Sequence, residues 1–164
     1  NITFNLSFSR INFMALIQNI LNEEHIEILN DYWNRNTDIV KWHDKYDNLY
    51  NLEMLYGKTS DEEYNKVLTI FNDIAKSYPQ KHYLLNYGEN SFTRIHPDST
   101  EKGTYVTLFE SNDLLGGETL IRDEQRCIDI VDFKVGQTLT YDGNCDHGVA
   151  RVRQGNRKVF VVWY

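Results

Sequence analysis

The sequence predicts a β-rich α+β fold in which helices come first and eight strands follow as a barrel or jelly roll. After Lys81, short apolar runs recur with glycine-containing turns between them, which is typical of such all-β architectures. Before Lys81, two segments have the 3.6-residue apolar period of amphipathic helices. Because one face of a sheet must be covered, we expect the helices to pack on the outside of one sheet. The predicted strands are residues 83–87, 92–96, 104–109, 119–121, 128–133, 137–141, 147–153 and 157–163.

The N-terminal half mixes strand and helix patterns. Apolar residues alternate with polar ones over residues 2–8, and a second strand is predicted over residues 11–17. Asn22, followed by two glutamates, predicts a helix start, because asparagine caps helices and acids favour the first turn. A second helix is predicted over residues 61–76. Residues 35–58 have no clean period, so we interpret them as a long loop.

Length and composition limit the function classes. The chain has 164 residues, which is one domain's worth of sequence, so we expect residues 1–164 to form a single domain. Within it, residues 1–80 form a strand and helix lead-in and residues 81–164 form the jelly-roll core. A net charge of −7 argues against nucleic-acid or anionic-membrane partners, and no apolar run is long enough to span a membrane. Two cysteines cannot build a disulfide framework, so a reducing cytoplasm is expected; the oligomeric state stays open.

His96 and Asp98 form the first candidate metal site. They lie at the end of a predicted strand, where residues i and i+2 share a face, and Pro97 restricts His96 to extended geometry. His25 and Glu27 have the same spacing but lie in a predicted helix, where i and i+2 point in different directions. Structural context therefore favours the first pair as a chelating site.

His147 is the second candidate. Strands 147–153 and 157–163 are predicted to form a hairpin that turns at residues 154–156, with Arg157 on the same face as His147. Two histidines and one carboxylate with open positions are typical of non-haem Fe(II) oxygenases. A cation on the same inner face would suit the far carboxylate of a dicarboxylate cosubstrate. Without such an anion, Arg157 would be unfavourable in a strand beside Val159 and Val161, because a buried cation needs a partner.

These residues also carry a family resemblance. Residues 87–98, 116–119, 147–149, 155–157 and Trp163, taken in order, resemble the prolyl 4-hydroxylase-like branch of the 2-oxoglutarate/Fe(II)-dependent dioxygenases. The motifs cover the chain from Tyr87 to its last residue. Each motif alone is weakly specific, whereas their order and spacing together are strongly specific.

The resemblance implies a double-stranded β-helix fold and a defined site. It implies that His96, Asp98 and His147 bind Fe(II), and that Arg157 pairs with the C5 carboxylate of 2-oxoglutarate. Thr119 matches a second contact to that carboxylate, Tyr87 matches a tyrosine that hydrogen-bonds the cosubstrate, and Trp163 matches a tryptophan near the substrate groove. The implied cofactors are Fe(II), 2-oxoglutarate and O2, with ascorbate as a supporting reductant. The implied reaction couples oxidative decarboxylation of 2-oxoglutarate to hydroxylation of an unactivated C–H bond.

The substrate is less well specified than the reaction. Thr93 stands where prolyl hydroxylases often have an aromatic residue, Arg151 replaces a common proline, and Ser111 interrupts an apolar run. The leading candidate is a peptidyl proline; the alternatives are a hydroxylase of a free amino acid or other small molecule, or a non-catalytic jelly-roll binding module. The intact triad and Arg157 count against the binding module.

The aromatic residues of the predicted loop bear on the same question. Trp42, Tyr46, Tyr50 and Tyr56 lie within residues 35–58 and would suit an extended proline-rich peptide. Packing of the helices onto the sheet is an equally good interpretation of these side chains.

Overall fold

A computed structural model describes residues 15–164, and the alternating pattern of residues 2–8 lies outside this range. The helices are α1, Glu23–Arg35, and α2, Glu62–Ala75, with a 3-10 turn at Thr37–Ile39 between them. The strands, in chain order, are β1 Ala15–Gln18, β2 Lys41–Tyr46, β3 Leu49–Tyr56, β4 Lys81–Tyr87, β5 Phe92–His96, β6 Thr104–Gly116, β7 Thr119–Arg122, β8 Ile128–Val131, β9 Thr138–Tyr141, β10 Asp146–Val149 and β11 Val152–Trp163.

The strands form one curled antiparallel sheet, which confirms the predicted β-rich class. Its order is β1-β9-β6-β11-β4-β3-β5-β10-β7-β8. Strand β2 lies off this path and pairs with β3. Side chains from strands far apart in this order meet in one buried cluster, so the sheet closes around an inner core. Met54 of β3, Ile121 of β7, Leu139 of β9 and Val159 of β11 are all members of it.

Both helices begin at the predicted places. The Asn22 side chain accepts a hydrogen bond from the His25 backbone, and the His25 ring accepts one from the Asn22 backbone in return. The Asp61 carboxylate accepts from the Tyr64 backbone at 3.0 Å and caps α2 in the same way. At its other end, α2 stops at Lys76, which has a left-handed φ of 52°. These caps satisfy backbone donors that a helix leaves unpaired at its start.

The helices cover the outer face of the sheet, as predicted. Alternation along β11 turns Val159 and Val161 inward and Phe160 and Val162 outward. The outward residues pack with Phe71 and other buried residues of α1 and α2 in a second core. The sheet therefore separates an inner core from an outer core.

The prediction of a long loop over residues 35–58 is wrong, because this region contains the β2–β3 hairpin. Lys41 pairs with Met54 and Tyr46 with Leu49 across it. Five of the six residues of β2 are exposed, so the strand has no alternation between apolar and polar residues. Burial in β3 is concentrated at its C-terminal half, which also hides a period of two.

The predicted hairpin between the strands of His147 and Arg157 is also wrong. β10 pairs with β5 and β7, whereas β11 pairs with β4 and β6. Gly155 has a left-handed φ of 72°, but it lies inside β11 at an irregular register with β6 and not in a turn. A Cβ at this position would lie 2.2 Å from the Asn112 carbonyl oxygen, so the glycine permits a close approach of two backbones.

Candidate active site

The structure brings the three predicted metal ligands together. His96 ends β5 and faces His147 of β10 directly across the strand pair, with ring centroids 4.7 Å apart. Asp98 follows β5, and its Oδ1 lies 3.6 Å from His96 Nε2 and 3.5 Å from His147 Nε2. One ligand atom from each residue lies within 4.8 Å of the others. Within residues 15–164 no other group of three or more histidine, cysteine or acidic residues has this arrangement.

Backbone carbonyls fix the orientation of both histidine rings. His96 Nδ1 lies 2.6 Å from the Arg94 carbonyl oxygen, and His147 Nδ1 lies 3.0 Å from the Cys145 carbonyl oxygen. Since a carbonyl only accepts, each Nδ1 carries the proton and donates it. Each Nε2 therefore presents a lone pair toward Asp98, which is how metal-binding histidines are usually held.

Burial and the local charges shift the pKa values of the three residues. Burial lowers the pKa of His147, although the nearby Asp98 carboxylate opposes this. Burial also opposes the charged form of His96, but the nearby Asp98 carboxylate and the hydrogen bond to the Arg94 carbonyl raise its pKa overall. Burial favours the neutral form of Asp98, yet the two histidines and a hydrogen bond from Thr104 bring its pKa below the usual value. Asp98 is therefore a carboxylate at neutral pH.

A second group of predicted residues lies further inside the sheet. Arg157 of β11 donates through Nη1 to the Thr119 hydroxyl at 3.0 Å and to the Gly117 carbonyl oxygen at 2.5 Å. Its guanidinium carbon lies 5.7 Å from the ring centre of Tyr87, the neighbour of Arg157 on β4. The Tyr87 hydroxyl is 2.8 Å from Thr93 Oγ1. Arg157, Thr119 and Tyr87 thus form one cluster around the guanidinium.

Arg157 is a buried cation that forms no salt bridge within residues 15–164. Its exposed fraction is 4%, and burial lowers its pKa by penalising the charged form. In residues 15–164 no salt bridge joins it to a carboxylate, and its buried Nε has no hydrogen-bond partner. An arginine remains charged even when buried. The cluster is therefore suited to binding an anion that enters from outside the chain.

One cavity inside the sheet connects the two groups. Its walls include the metal triad at one end and Arg157, Thr119 and Tyr87 at the other. It shares His96, Asp98 and Trp163 with the lining of a second, more open cavity of about 650 Å³, which we call the outer groove. The outer groove is bordered by the triad residues His96 and Asp98 and by Tyr46, Tyr56, Tyr83, Lys81 and Trp163, among others.

The remaining predicted residues divide between the site and other roles. Trp163 lines both cavities, whereas Tyr46 and Tyr56, two of the aromatic residues of the predicted loop, line only the outer groove. Tyr50 instead stacks on Phe92 at 4.5 Å, and Trp42 is 61% exposed. His25 is used in the α1 cap, and within residues 15–164 it is not part of the grouped potential metal ligands.

Cys145 is not one of the grouped ligands. Burial raises the pKa of its thiol to about 11, so it stays protonated at neutral pH, whereas a metal-binding cysteine is a thiolate. Its contribution to the site is its backbone carbonyl, which accepts from His147.

Sequence reasoning missed several residues around the triad. Thr104 donates to Asp98 Oδ2 at 2.6 Å, and the Tyr141 hydroxyl lies 3.4 Å from the same oxygen. Thr93, noted in the sequence only as a departure from the prolyl hydroxylase pattern, holds the Tyr87 hydroxyl. A hydroxyl residue in a strand carries no sequence signal for such a contact, because the contact depends on which strands become neighbours.

Several solved structures share this architecture. The chain is similar to a Pseudomonas putida prolyl-4-hydroxylase, with 12% identity, a TM-score of 0.74 and coverage of 93% of this chain and 92% of that one. It is similar, with 11% identity and a TM-score of 0.74, to a 2OG-Fe(II) oxygenase family oxidoreductase from Burkholderia pseudomallei, over 91% of this chain and 84% of that one. The chain has the fold of the 2OG-Fe(II) oxygenases.

A third similar structure is a complex. It is a prolyl hydroxylase from Trichoplax adhaerens with a peptide fragment of the hypoxia inducible factor oxygen degradation domain, at 12% identity and a TM-score of 0.74, covering 92% of this chain and 83% of that one. No family model and no curated protein matches the sequence. Neither helix in residues 15–164 is long and apolar enough to cross a membrane.

Proposed function

We propose that the chain is a 2-oxoglutarate/Fe(II)-dependent dioxygenase that hydroxylates an unactivated C–H bond. The observation that carries the proposal is that a His-Asp-His triad and a buried, charge-unpaired arginine line the same cavity. The proposal assigns residues 1–164 to one domain, with residues 1–80 leading into a jelly-roll core of residues 81–164. The fold shared with the oxygenase structures is consistent with it.

The triad fits Fe(II) by the chemistry of its donors. His96 and His147 would each offer Nε2, and Asp98 would offer Oδ1, which is the two-histidine, one-carboxylate set of non-haem Fe(II) oxygenases. When bound, Fe(II) together with 2-oxoglutarate and O2 supplies an oxidant for C–H hydroxylation, with release of succinate and CO2. The protein supplies the orientation of the ligands, since each ring is fixed through its other nitrogen.

The arginine cluster fits the distal carboxylate of 2-oxoglutarate. Arg157 would neutralise that carboxylate, and a charge-assisted contact to a guanidinium is strong in a buried site. Thr119 already bonds Arg157 Nη1, so its hydroxyl lies beside the proposed carboxylate position. The Tyr87 hydroxyl, held by Thr93, is a further donor on the same wall. These residues would orient the cosubstrate with its other end toward the triad.

For the substrate we propose a prolyl residue in a peptide. The outer groove reaches the triad and has aromatic walls, and aromatic walls are what proline-rich segments in a polyproline II conformation bind. The similar Trichoplax adhaerens structure holds a peptide fragment. A free amino acid or another small molecule would leave most of the outer groove unused.

The first experiment tests the reaction class. The full chain is incubated with 2-oxoglutarate, O2 and ascorbate, with and without Fe(II), and succinate is measured. We expect succinate only with Fe(II), with loss in His96→Ala and retention in the matched control His25→Ala. Succinate formation that is independent of Fe(II), or unaffected by His96→Ala, contradicts the proposal.

The second experiment tests the substrate. Proline-rich peptides and free L-proline are offered side by side, and products are analysed by mass spectrometry. Gain of one oxygen atom on the peptide alone supports the peptidyl assignment. Gain on free proline alone replaces it with the small-molecule assignment, and uncoupled succinate formation without either product removes proline from the proposal.

A further inference from the structure

The second carboxylate oxygen of Asp98 is held by two hydroxyls. Thr104 donates to Oδ2 at 2.6 Å, and the Tyr141 hydroxyl lies 3.4 Å from it. Thr104 and Tyr141 are direct partners in the β6–β9 strand pair, and neither strand contributes a triad residue. Thr104 has an exposed fraction of 0%, so water does not compete for this bond.

Asp98 needs such an anchor because it lies outside the strands. It follows β5 in a segment without regular structure, and the next residue, Ser99, has a left-handed φ of 57°. A carboxylate rotates easily about its terminal torsion, and either oxygen, or both, can bind a metal. With Oδ2 bonded to the two hydroxyls, Oδ1 is the oxygen that faces both histidine Nε2 atoms.

Tyr141 also contacts a second member of the triad. Its ring lies 4.4 Å from the ring of His147 at an interplanar angle of 37°. Tyr141 therefore contacts both Asp98 and His147, and its strand partner Thr104 bonds the same oxygen of Asp98.

We infer that Thr104 and Tyr141 are positioning residues that set the metal affinity of the triad by presenting Asp98 through Oδ1 alone. This inference rests on the proposed metal site. Residues in the layer around metal ligands typically change metal affinity by about 10- to 100-fold when they are removed. A role confined to folding would instead alter stability and leave the affinity of the folded protein unchanged.

The chain provides a matched control three residues along the same two strands. Thr107 and Thr138 are partners in the β6–β9 pair, both are fully buried, and their hydroxyls are 2.7 Å apart. Thr104→Val and Thr107→Val therefore make the same isosteric change in the same strand, and each removes a buried hydroxyl. Only the first removes a bond to Asp98.

The test is a titration of the full chain with Co(II), without 2-oxoglutarate, followed by visible absorption. We expect Thr104→Val to weaken Co(II) binding by about 10- to 100-fold and to shift the spectrum of the bound ion, because the carboxylate is free to rotate. Thr104→Ser, which restores the hydroxyl, and Thr107→Val should both resemble the unchanged protein. Tyr141→Phe should have a smaller effect, about two- to tenfold, because its bond is longer.

The result that overturns the inference is a folded Thr104→Val protein with unchanged Co(II) affinity and spectrum. Circular dichroism checks the fold, and if Thr104→Val does not fold, unchanged binding by Tyr141→Phe overturns it instead. Failure of the unchanged protein to bind Co(II) would contradict the proposed metal site as well, so the two failures are distinguishable.

Discussion

The inner and outer cores of this protein are built from the same sheet but hold different kinds of residues. The outer core contains large apolar side chains, and its tyrosine hydroxyls have partners: Tyr64 bonds His82 at 2.7 Å and Tyr164 bonds Asn72 at 2.7 Å. The inner core encloses the Arg157 guanidinium, whose Nε has no hydrogen-bond partner among residues 15–164, and it borders the triad. We infer that the outer core serves to stabilise the fold, whereas the inner core contains charged groups that the proposed ligands would neutralise.

The largest expected effect is on stability, from the outer core. Phe71 of α2 is fully buried against Phe160 and Tyr105. Phe71→Ala should lower the free energy of unfolding by about 3–5 kcal/mol, because it removes an aromatic side chain and leaves a cavity. Urea denaturation measures this. Ile74→Ala is the control in the same helix, since Ile74 is 48% exposed. Equal losses of unfolding free energy in Phe71→Ala and Ile74→Ala would contradict a stabilising role for the outer core.

A substitution in the inner core should affect ligand binding and not lower the stability of the fold. Arg157→Ala should raise the 2-oxoglutarate concentration needed for half-maximal succinate formation by about 10- to 150-fold, the equivalent of losing a charge-assisted bond. It should leave the free energy of unfolding equal or higher, because an unpaired buried cation is removed. Arg157→Lys should restore 2-oxoglutarate binding only partly, since lysine lacks the planar guanidinium that makes two parallel hydrogen bonds to a carboxylate.

Arg153→Ala is the control for this prediction, because Arg153 lies in the same strand and is exposed. A loss of stability in Arg157→Ala that matches the loss in Phe71→Ala would show that the inner core also serves the fold. An unchanged requirement for 2-oxoglutarate would assign the carboxylate contact to another residue.

The smallest expected effect concerns the outer groove. Tyr46 borders the groove, whereas Trp42, in the same strand, does not line it. Tyr46→Ala should raise the peptide concentration needed for half-maximal hydroxylation by about fivefold, with the requirement for 2-oxoglutarate unchanged. Trp42→Ala should change neither quantity. Equal effects of the two variants would mean that the peptide does not use this wall.

Much of this arrangement could be predicted from the sequence because strand alternation is local. The spacing of His96 and Asp98, with Pro97 between them, predicts that the two side chains share a face. Arg157 was predicted on the face of His147 through a hairpin that the structure does not contain, but Arg157 shares a strand face with Val159 and Val161, and all three line the inner cavity. Helix caps are equally local, and Asn22 marked the start of α1. The inner and outer faces of the sheet follow from such patterns.

The parts that failed depend on which strands become neighbours. Gly155 has a φ that suits a hairpin turn and a strand irregularity equally well, so the sequence could not separate the two. The β2 strand is exposed and therefore lacks the pattern of a half-buried strand. Thr104 and Tyr141 lie far apart in the sequence and meet only through the β6–β9 register. Their contact to Asp98 is a property of the assembled sheet.

The most direct test of the central claim is anaerobic addition of Fe(II) and 2-oxoglutarate, followed by visible absorption. We expect a charge-transfer band, because the triad and the Arg157 cluster, which line one cavity, would bind the two proposed ligands side by side. The band should be lost in His96→Ala, Asp98→Ala and His147→Ala and retained in His25→Ala, with circular dichroism showing that each variant is folded. No band in the unchanged protein, or a band that survives all three triad variants, would contradict the account.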